Sequence, residues 1–158
     1  MYDRKAAVSY ARRWALKRNP AYLDFQGIGG DCTNFVSQCL YAGSGVMNFT
    51  PAFGWYYRSA ADRAPAWTSV EYLYRFLTEN QGAGPYAAVV RSSEVCPGDV
   101  VQLANPGERY THAALVIEVS GGELYVASHS FDAWRKPLSA YRQPVRRFLH
   151  IVDVHPHA

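Results

Sequence analysis

The sequence predicts an α+β fold in which N-terminal helices pack against a C-terminal antiparallel sheet. Two patterns indicate this class. In the first half of the chain apolar residues recur at helical spacing, whereas after residue 84 they alternate with a period of two. Helices and strands that are segregated along one chain in this way are typical of α+β proteins. The chain has 158 residues, 49% of them hydrophobic, which suits a single domain over residues 1–158.

Two helices are predicted in the first third of the chain, on either side of a glycine-containing loop. The first begins after Asp3, a good N-cap residue, and continues to Lys17. The second begins at Cys32 and ends near Ala42, where Gly43 is the expected C-cap. These two helices supply apolar stripes for the core.

Residues 44–67 are rich in aromatic side chains and are interrupted by prolines and glycines, which predicts a long structured loop. The aromatic rings of this loop, Trp55 among them, can form one wall of a substrate groove or can fill the core. Both interpretations stay open. A further helix is predicted from Thr68, because Thr68 and Glu71 have the spacing of a capping box.

The second half of the chain predicts strands bounded by turn residues. A tight turn at Ser120-Gly121-Gly122 makes two of these strands a hairpin. The predicted strands are Asp99–Leu103, Thr111–Val119, Glu123–His129 and Arg146–Val154.

Cys32 is the strongest candidate for a catalytic residue, because it lies between a glycine-rich loop and the first turn of a predicted helix. Unpaired N–H groups and the positive end of the helix dipole favour a thiolate at such a position. We therefore expect a lowered pKa for Cys32 and a nucleophile at neutral pH. Cys39 and Cys96 are interpreted as buried thiols, although a disulfide between them would also leave Cys32 free.

Two histidines on the predicted hairpin are candidates for the base that a catalytic thiol needs. A two-residue turn pairs His112 directly with His129 or places the two rings diagonally on one face. A three-residue turn or a β-bulge puts them on opposite faces. In the first arrangement we expect His112 to hold the Cys32 proton as an imidazolium and His129 to fix its tautomer. Asp132 is the alternative orienting group.

Several classes of partner are not expected. The net charge is +3 and the arginines are scattered, so the chain lacks the basic stripe typical of nucleic-acid binding. No apolar run approaches the ~20 residues of a membrane span, and no signal-peptide pattern is present. The abrupt start is compatible with a domain cut from a longer precursor. We expect a monomer without metal or cofactor; a zinc ion held by Cys32, His112 and His129 is the competing interpretation.

The segment Asp31–Gln38, Asp-Cys-Thr-Asn-Phe-Val-Ser-Gln, resembles the signature of the bacterial putative amidase domain family, a branch of the papain-like cysteine hydrolases of the NlpC and CHAP type. The resemblance implies a papain-like fold, with Cys32 as nucleophile, His112 as base and His129 at the third polar position. Shorter matching pieces follow in the same order along the chain: Trp55-Tyr56-Tyr57, Trp67-Thr68-Ser69-Val70, Pro97-Gly98-Asp99-Val100-Val101-Gln102, Thr111-His112-Ala113-Ala114 and Ser128-His129-Ser130.

The same resemblance implies hydrolysis of amide bonds in peptides, plausibly the stem peptides of peptidoglycan, and a secreted or cell-envelope location. Gln26, Asp31 and Trp55 are the candidates for oxyanion or substrate binding. Gln26 lies upstream of Cys32 and is a candidate donor beside the Cys32 backbone N–H. Two other functions stay open: a thiol acyltransferase with the same pair of residues, and a binding module that has kept the fold and lost the chemistry.

Overall fold

Helices occupy the first half of the chain and six strands of the second half form one antiparallel sheet in the computed structural model, which describes residues 1–157. The predicted α+β class is thereby confirmed. Among residues 1–157, no helix is both long and apolar enough to span a membrane. The helices are α1 (Arg4–Trp14), α2 (Cys32–Ser44), the short α3 (Pro65–Thr68) and α4 (Val70–Glu79); the strands are β1 (Tyr57–Ser59), β2 (Asp62–Arg63), β3 (Gly84–Val90), β4 (Val100–Ala104), β5 (His112–Ser120), β6 (Glu123–Ser128), β7 (Ala133–Pro137) and β8 (Val145–His155).

The six-stranded sheet has the order β3-β8-β4-β5-β6-β7, and β1 and β2 form a separate ribbon. Strand β8, at the end of the chain, lies between β3 and β4 and pairs antiparallel with both. Strands β3 and β7 were not predicted from the sequence. Strand β3 opens with Gly84 and Pro85, which are rare in strands, and Arg135 in β7 has a left-handed φ of 56°.

The ends of α1 and α2 show one confirmed and one wrong prediction. The Asp3 carboxylate accepts a hydrogen bond from the Ala6 N–H at 3.0 Å, as expected of an N-cap. Helix α2, however, continues past Gly43 and is capped by Gly45, which has a left-handed φ of 67°. Gly43 is needed for a different reason: a Cβ there would lie 2.6 Å from the ring of Tyr2.

The start of α4 was predicted one residue too early. Ser69 is its N-cap and accepts a hydrogen bond from the Tyr72 N–H, because Thr68 belongs to the preceding helix α3. The expected capping box is therefore wrong. Glu71 instead accepts a hydrogen bond from Arg147 of β8 at 2.7 Å, which ties α4 to the sheet.

The two faces of the sheet belong to two hydrophobic clusters. One face packs against α1 and α2 and forms the main core. Trp55 lies inside that core with no exposed surface, 4.8 Å from the ring of Trp67, and its indole N–H donates to the Ser37 hydroxyl. Trp55 therefore fills the core and does not form the wall of a groove. Phe53 of the same loop is 63% exposed.

Candidate active site

Cys32 and His112 line one cavity of about 680 Å³, called here the Cys32–His112 cavity. Cys32 is the first residue of α2 and His112 is the first residue of β5, so the packing of α2 on β5 brings them together. Each side chain is largely buried, with 7% and 9% of its residue surface exposed. The remaining wall comes from the glycine loop before α2, the loop between β6 and β7, and the segment 136–143.

The predicted lowering of the Cys32 pKa is wrong for this geometry. Burial raises the pKa of the thiol, and the nearby Asp31 carboxylate adds to that effect. Hydrogen bonds from the Ala113 backbone and from Thr33 act in the opposite direction but do not outweigh burial. The Cys32 Sγ lies 3.9 Å from the Thr33 hydroxyl and 4.0 Å from the Thr111 carbonyl oxygen. The resting side chain is therefore a thiol at neutral pH.

The pKa of His112 is lowered, which also favours the neutral form of that side chain. Burial lowers its pKa to about 4, and the positive charge of Lys136 contributes to the shift. The ring is neutral at pH 7, and its buried Nε2 has no hydrogen-bond partner among residues 1–157. Within residues 1–157 the hydrogen-bond contacts of the Cys32 Sγ are with Thr33 and Thr111 and not with His112, so this geometry does not support the expected imidazolium–thiolate pair. A neutral imidazole and a neutral thiol that line one cavity suit general-base catalysis, in which the proton moves during attack.

The β5–β6 hairpin does not bring His129 to His112. Its turn is the two-residue Gly121-Gly122 turn, as one of the predicted registers requires. A β-bulge between Val116 and Glu118 then shifts the register by one residue. An odd shift moves side chains to the opposite face of a sheet, which is the arrangement that separates the two rings.

His129 is instead buried against Asp31, with 1% and 0% of their residue surfaces exposed. Its Nδ1 is hydrogen-bonded to an Asp31 carboxylate oxygen, and its Nε2 lies 2.7 Å from the Trp14 carbonyl oxygen. Both ring nitrogens are thus engaged by oxygen atoms that accept hydrogen bonds. The ring also stacks on Phe35 at 4.2 Å. Neither ring nitrogen is left to orient His112.

Asp31 also anchors the β6–β7 loop that forms part of the cavity wall. The Asp31 backbone N–H donates to the Ser130 hydroxyl at 2.9 Å, and Arg18 forms two hydrogen bonds with Asp132 at 2.7 and 3.0 Å. Phe131 between these anchors is 90% exposed and has a φ of 70°, a left-handed conformation that is costly for such a side chain. The loop thus fixes Phe131 at the cavity rim, while Asp132, the alternative orienting group for His112, is bound by Arg18.

The three residues predicted for oxyanion or substrate binding do not line the cavity. Gln26 lies exposed in the loop before α2, Trp55 is in the core, and Asp31 is buried against His129. The backbone N–H groups of the first turn of α2, that of Cys32 among them, remain as candidates for oxyanion donors, because a helix start has no intrahelical acceptors for them.

The residues of the cavity wall that the sequence analysis missed include four large side chains: Phe131, Lys136, Tyr141 and Arg142. The Lys136 ammonium lies 4.2 Å from the centroid of the Tyr141 ring, and that ring lies 5.6 Å from the ring of His112. All four belong to the segment after β6, which has no motif and no regular periodicity. No signal in the sequence alone would have found them.

The structure does not support a zinc ion held by Cys32, His112 and His129, because both nitrogens of His129 are engaged elsewhere. A second group, Cys96, Asp99 and His150, has its potential ligand atoms within 4.8 Å of one another. Both Asp99 oxygens already accept hydrogen bonds, from Arg4 and the Ile151 N–H on one side and from His150 and the Cys96 N–H on the other. This carboxylate is satisfied by protein donors.

All three cysteines are free thiols, so the optional Cys39–Cys96 disulfide is not formed. Cys39 is fully buried in α2, and burial raises its pKa well above the ordinary value. Cys96 is only partly buried, so its interpretation as a buried thiol is wrong, and it lies outside the Cys32–His112 cavity. Among the cysteines, only Cys32 combines a place at the start of a helix with access to the cavity.

Comparison with known proteins gives the chain a family. The family model described as "Putative amidase domain" matches residues 1–152. The uncharacterized protein YhbB of Bacillus subtilis strain 168 is 36% identical over 163 aligned positions, which cover 96% of this chain and 51% of YhbB. The uncharacterized protein YjcM of the same organism is 30% identical over 144 positions, covering 86% of this chain and 32% of YjcM.

The chain therefore spans about half the length of YhbB and about a third of YjcM. The search of solved structures found no match. The description of the family model points to hydrolysis of amide bonds in general. Because that model covers nearly the whole sequence, the chain belongs to the putative amidase domain family.

Proposed function

We propose that this chain is a cysteine-dependent hydrolase of amide or peptide bonds, with Cys32 as nucleophile and His112 as general base. One observation carries the proposal: the two side chains, far apart in sequence, line the same cavity from the start of a helix and the start of a strand. Membership of an amidase family supports an amide as the bond that is cleaved.

The mechanism starts from two neutral groups. As the Cys32 sulfur attacks the substrate carbonyl carbon, the neutral His112 ring takes the thiol proton. The negative charge that develops on the carbonyl oxygen is stabilised by backbone N–H groups of the first turn of α2. His112 then gives its proton to the leaving amine, and the C–N bond breaks to leave a thioester. Water, deprotonated by His112, hydrolyses this acyl-enzyme and restores the thiol.

Asp31 and His129 have a positioning role in this proposal. Neither residue is hydrogen-bonded to Cys32 Sγ or His112. Asp31, the residue before Cys32, is instead hydrogen-bonded to His129 and Ser130, which fastens the start of α2 to the loop that carries Phe131. These hydrogen bonds hold the nucleophile at a fixed position relative to one edge of the cavity. His129 thus serves the catalytic pair indirectly.

The proposal includes a papain-like fold. A helix that begins with the nucleophile and packs on an antiparallel sheet bearing the base supports this assignment.

The proposed substrate class rests on the resemblance of the sequence motifs. Peptides, and the stem peptides of peptidoglycan in particular, are the proposed substrates. A secreted or cell-envelope location would bring such an enzyme to that polymer.

The decisive experiment compares the wild-type chain with Cys32→Ala on peptidoglycan fragments, measuring new amine and carboxyl termini by mass spectrometry. We expect turnover with the wild type and none with Cys32→Ala, because alanine has no nucleophile. Cys96→Ala is the matched control, since it removes a thiol outside the cavity and should leave turnover intact. Turnover by a folded Cys32→Ala variant would contradict the mechanism.

A further inference from the structure

The wall of the Cys32–His112 cavity carries two cationic side chains and no carboxylate. Lys136 lies in β7, and Arg142 lies in the segment between β7 and β8. Within residues 1–157, neither is close enough to an Asp or Glu to form an ion pair. Arg135, next to Lys136 in sequence, is by contrast paired with Glu118 at 2.8 Å. Lys136 is partly buried and Arg142 is exposed, and both line the cavity.

The Lys136 charge is fixed in place and acts inside the cavity. Its ammonium lies over the face of the Tyr141 ring, an arrangement that holds a cation through the negative face of the ring. The same charge contributes to the lowered pKa of His112, so it is felt at the catalytic pair. A partly buried cation without a counter-ion attracts an anion more strongly than a cation in open solvent does.

We propose that Lys136 and Arg142 bind a carboxylate of the substrate, so that the preferred substrates are amides with a free carboxylate close to the scissile bond. This inference rests on the proposed function, because it names the substrate class of the same cavity. Arg142 offers the planar pair of donors that matches a carboxylate, and Lys136 adds a point charge. Neutral amides of the same size are poorer ligands.

The test compares two alkylating reagents of nearly equal size and different charge on the intact chain. Iodoacetate is an anion and iodoacetamide is neutral; each forms an S–CH₂ bond as the Cys32 thiolate displaces iodide. Rate constants at Cys32 are measured by mass spectrometry and expressed as the iodoacetate-to-iodoacetamide ratio, relative to free N-acetylcysteine. Both reagents use the same thiolate, so a change in its ionisation cancels in the ratio.

We expect a ratio at Cys32 about tenfold above that of the free thiol, since local cations concentrate anions to this extent. The double variant Lys136→Met/Arg142→Met should bring the ratio back to the free-thiol value. Lys5→Met, which removes an exposed charge on α1 outside the cavity, should leave it unchanged. High salt should also reduce the wild-type ratio, and this arm needs no variant.

The outcomes separate the two proposals. A wild-type ratio equal to that of the free thiol, or one that the double variant does not change, would overturn the carboxylate site while Cys32 remained a nucleophile. Failure of both reagents to modify Cys32 at any pH would overturn the proposed nucleophile and the carboxylate site with it.

Discussion

At the residue scale, the chemistry depends on two buried groups, Cys32 and His112, whose pKa shifts favour their neutral forms over a thiolate–imidazolium ion pair. Burial raises the pKa of Cys32 and lowers that of His112 to about 4, because each charged form loses hydration. A motif at a helix start predicts the helix dipole and the free N–H groups, which favour a thiolate. It does not predict how deeply the sulfur is buried or that Asp31 places a negative charge beside it.

The first prediction concerns pH. The rate of Cys32 alkylation by iodoacetamide should rise steadily with pH and level off only above 9.0, the ordinary cysteine value, because the pKa is raised. Hydrolysis should persist through mildly acidic pH and be lost as the pH falls through about 4, where His112 becomes protonated and can no longer act as a base. A second plateau of alkylation at acid pH, absent in His112→Ala, would show a preformed ion pair instead.

At the element scale, the site depends on how the β6–β7 loop is fastened to the start of α2. Asp31 and His129 form the buried connection, and Arg18 and Asp132 form a more exposed one. Arg18 also lies 3.4 Å from the Asp31 carboxylate. Alternating strands predict a β5–β6 hairpin with a tight turn at Ser120-Gly121-Gly122, but they leave the length of that turn open. The bulge at Val116–Glu118 has no sequence signal, because a bulge follows from packing on both faces, and it decides where His129 points.

The second prediction compares these two connections. His129→Ala should lower the free energy of unfolding by about 2–4 kcal/mol, because it removes a buried ring that packs on Phe35 and is hydrogen-bonded to the buried Asp31 carboxylate. Asp132→Ala should cost about 0–1 kcal/mol, since its side chain is 31% exposed and solvent screens the pair. Urea unfolding measures both values. Equal costs for the two variants would show that the Asp31–His129 contact does not hold the loop.

At the scale of the whole molecule, the helical half and the sheet half are joined by contacts that sequence patterns do not reveal. Periodicity predicts the two halves, and local composition predicts most of the elements within them. The order of the sheet, with β8 between β3 and β4, and the close approach of Tyr2 to Gly43 depend on partners distant in sequence. The cavity lies where α2 meets β5, so its wall is a product of that packing rather than of any one motif.

The last prediction concerns the other junction between the two halves, at the motif Pro97-Gly98-Asp99. Asp99 is fully buried and binds Arg4 of α1 as well as His150 and the Ile151 N–H of β8. Asp99→Ala should therefore cost about 3–5 kcal/mol in urea unfolding, because it leaves the Arg4 cation without its partner.

Asp153→Ala is the control for this junction, because it removes a half-exposed carboxylate from strand β8 and should cost much less than Asp99→Ala. EDTA should leave the wild-type unfolding midpoint unchanged, since the Asp99 oxygens are satisfied by protein donors. A midpoint that falls with EDTA in the wild type but not in Asp99→Ala would show that this group binds a metal. If EDTA has no such effect, the role of the Pro97-Gly98-Asp99 motif is structural. It fastens α1 to the sheet against which α2, the helix that begins with Cys32, is packed.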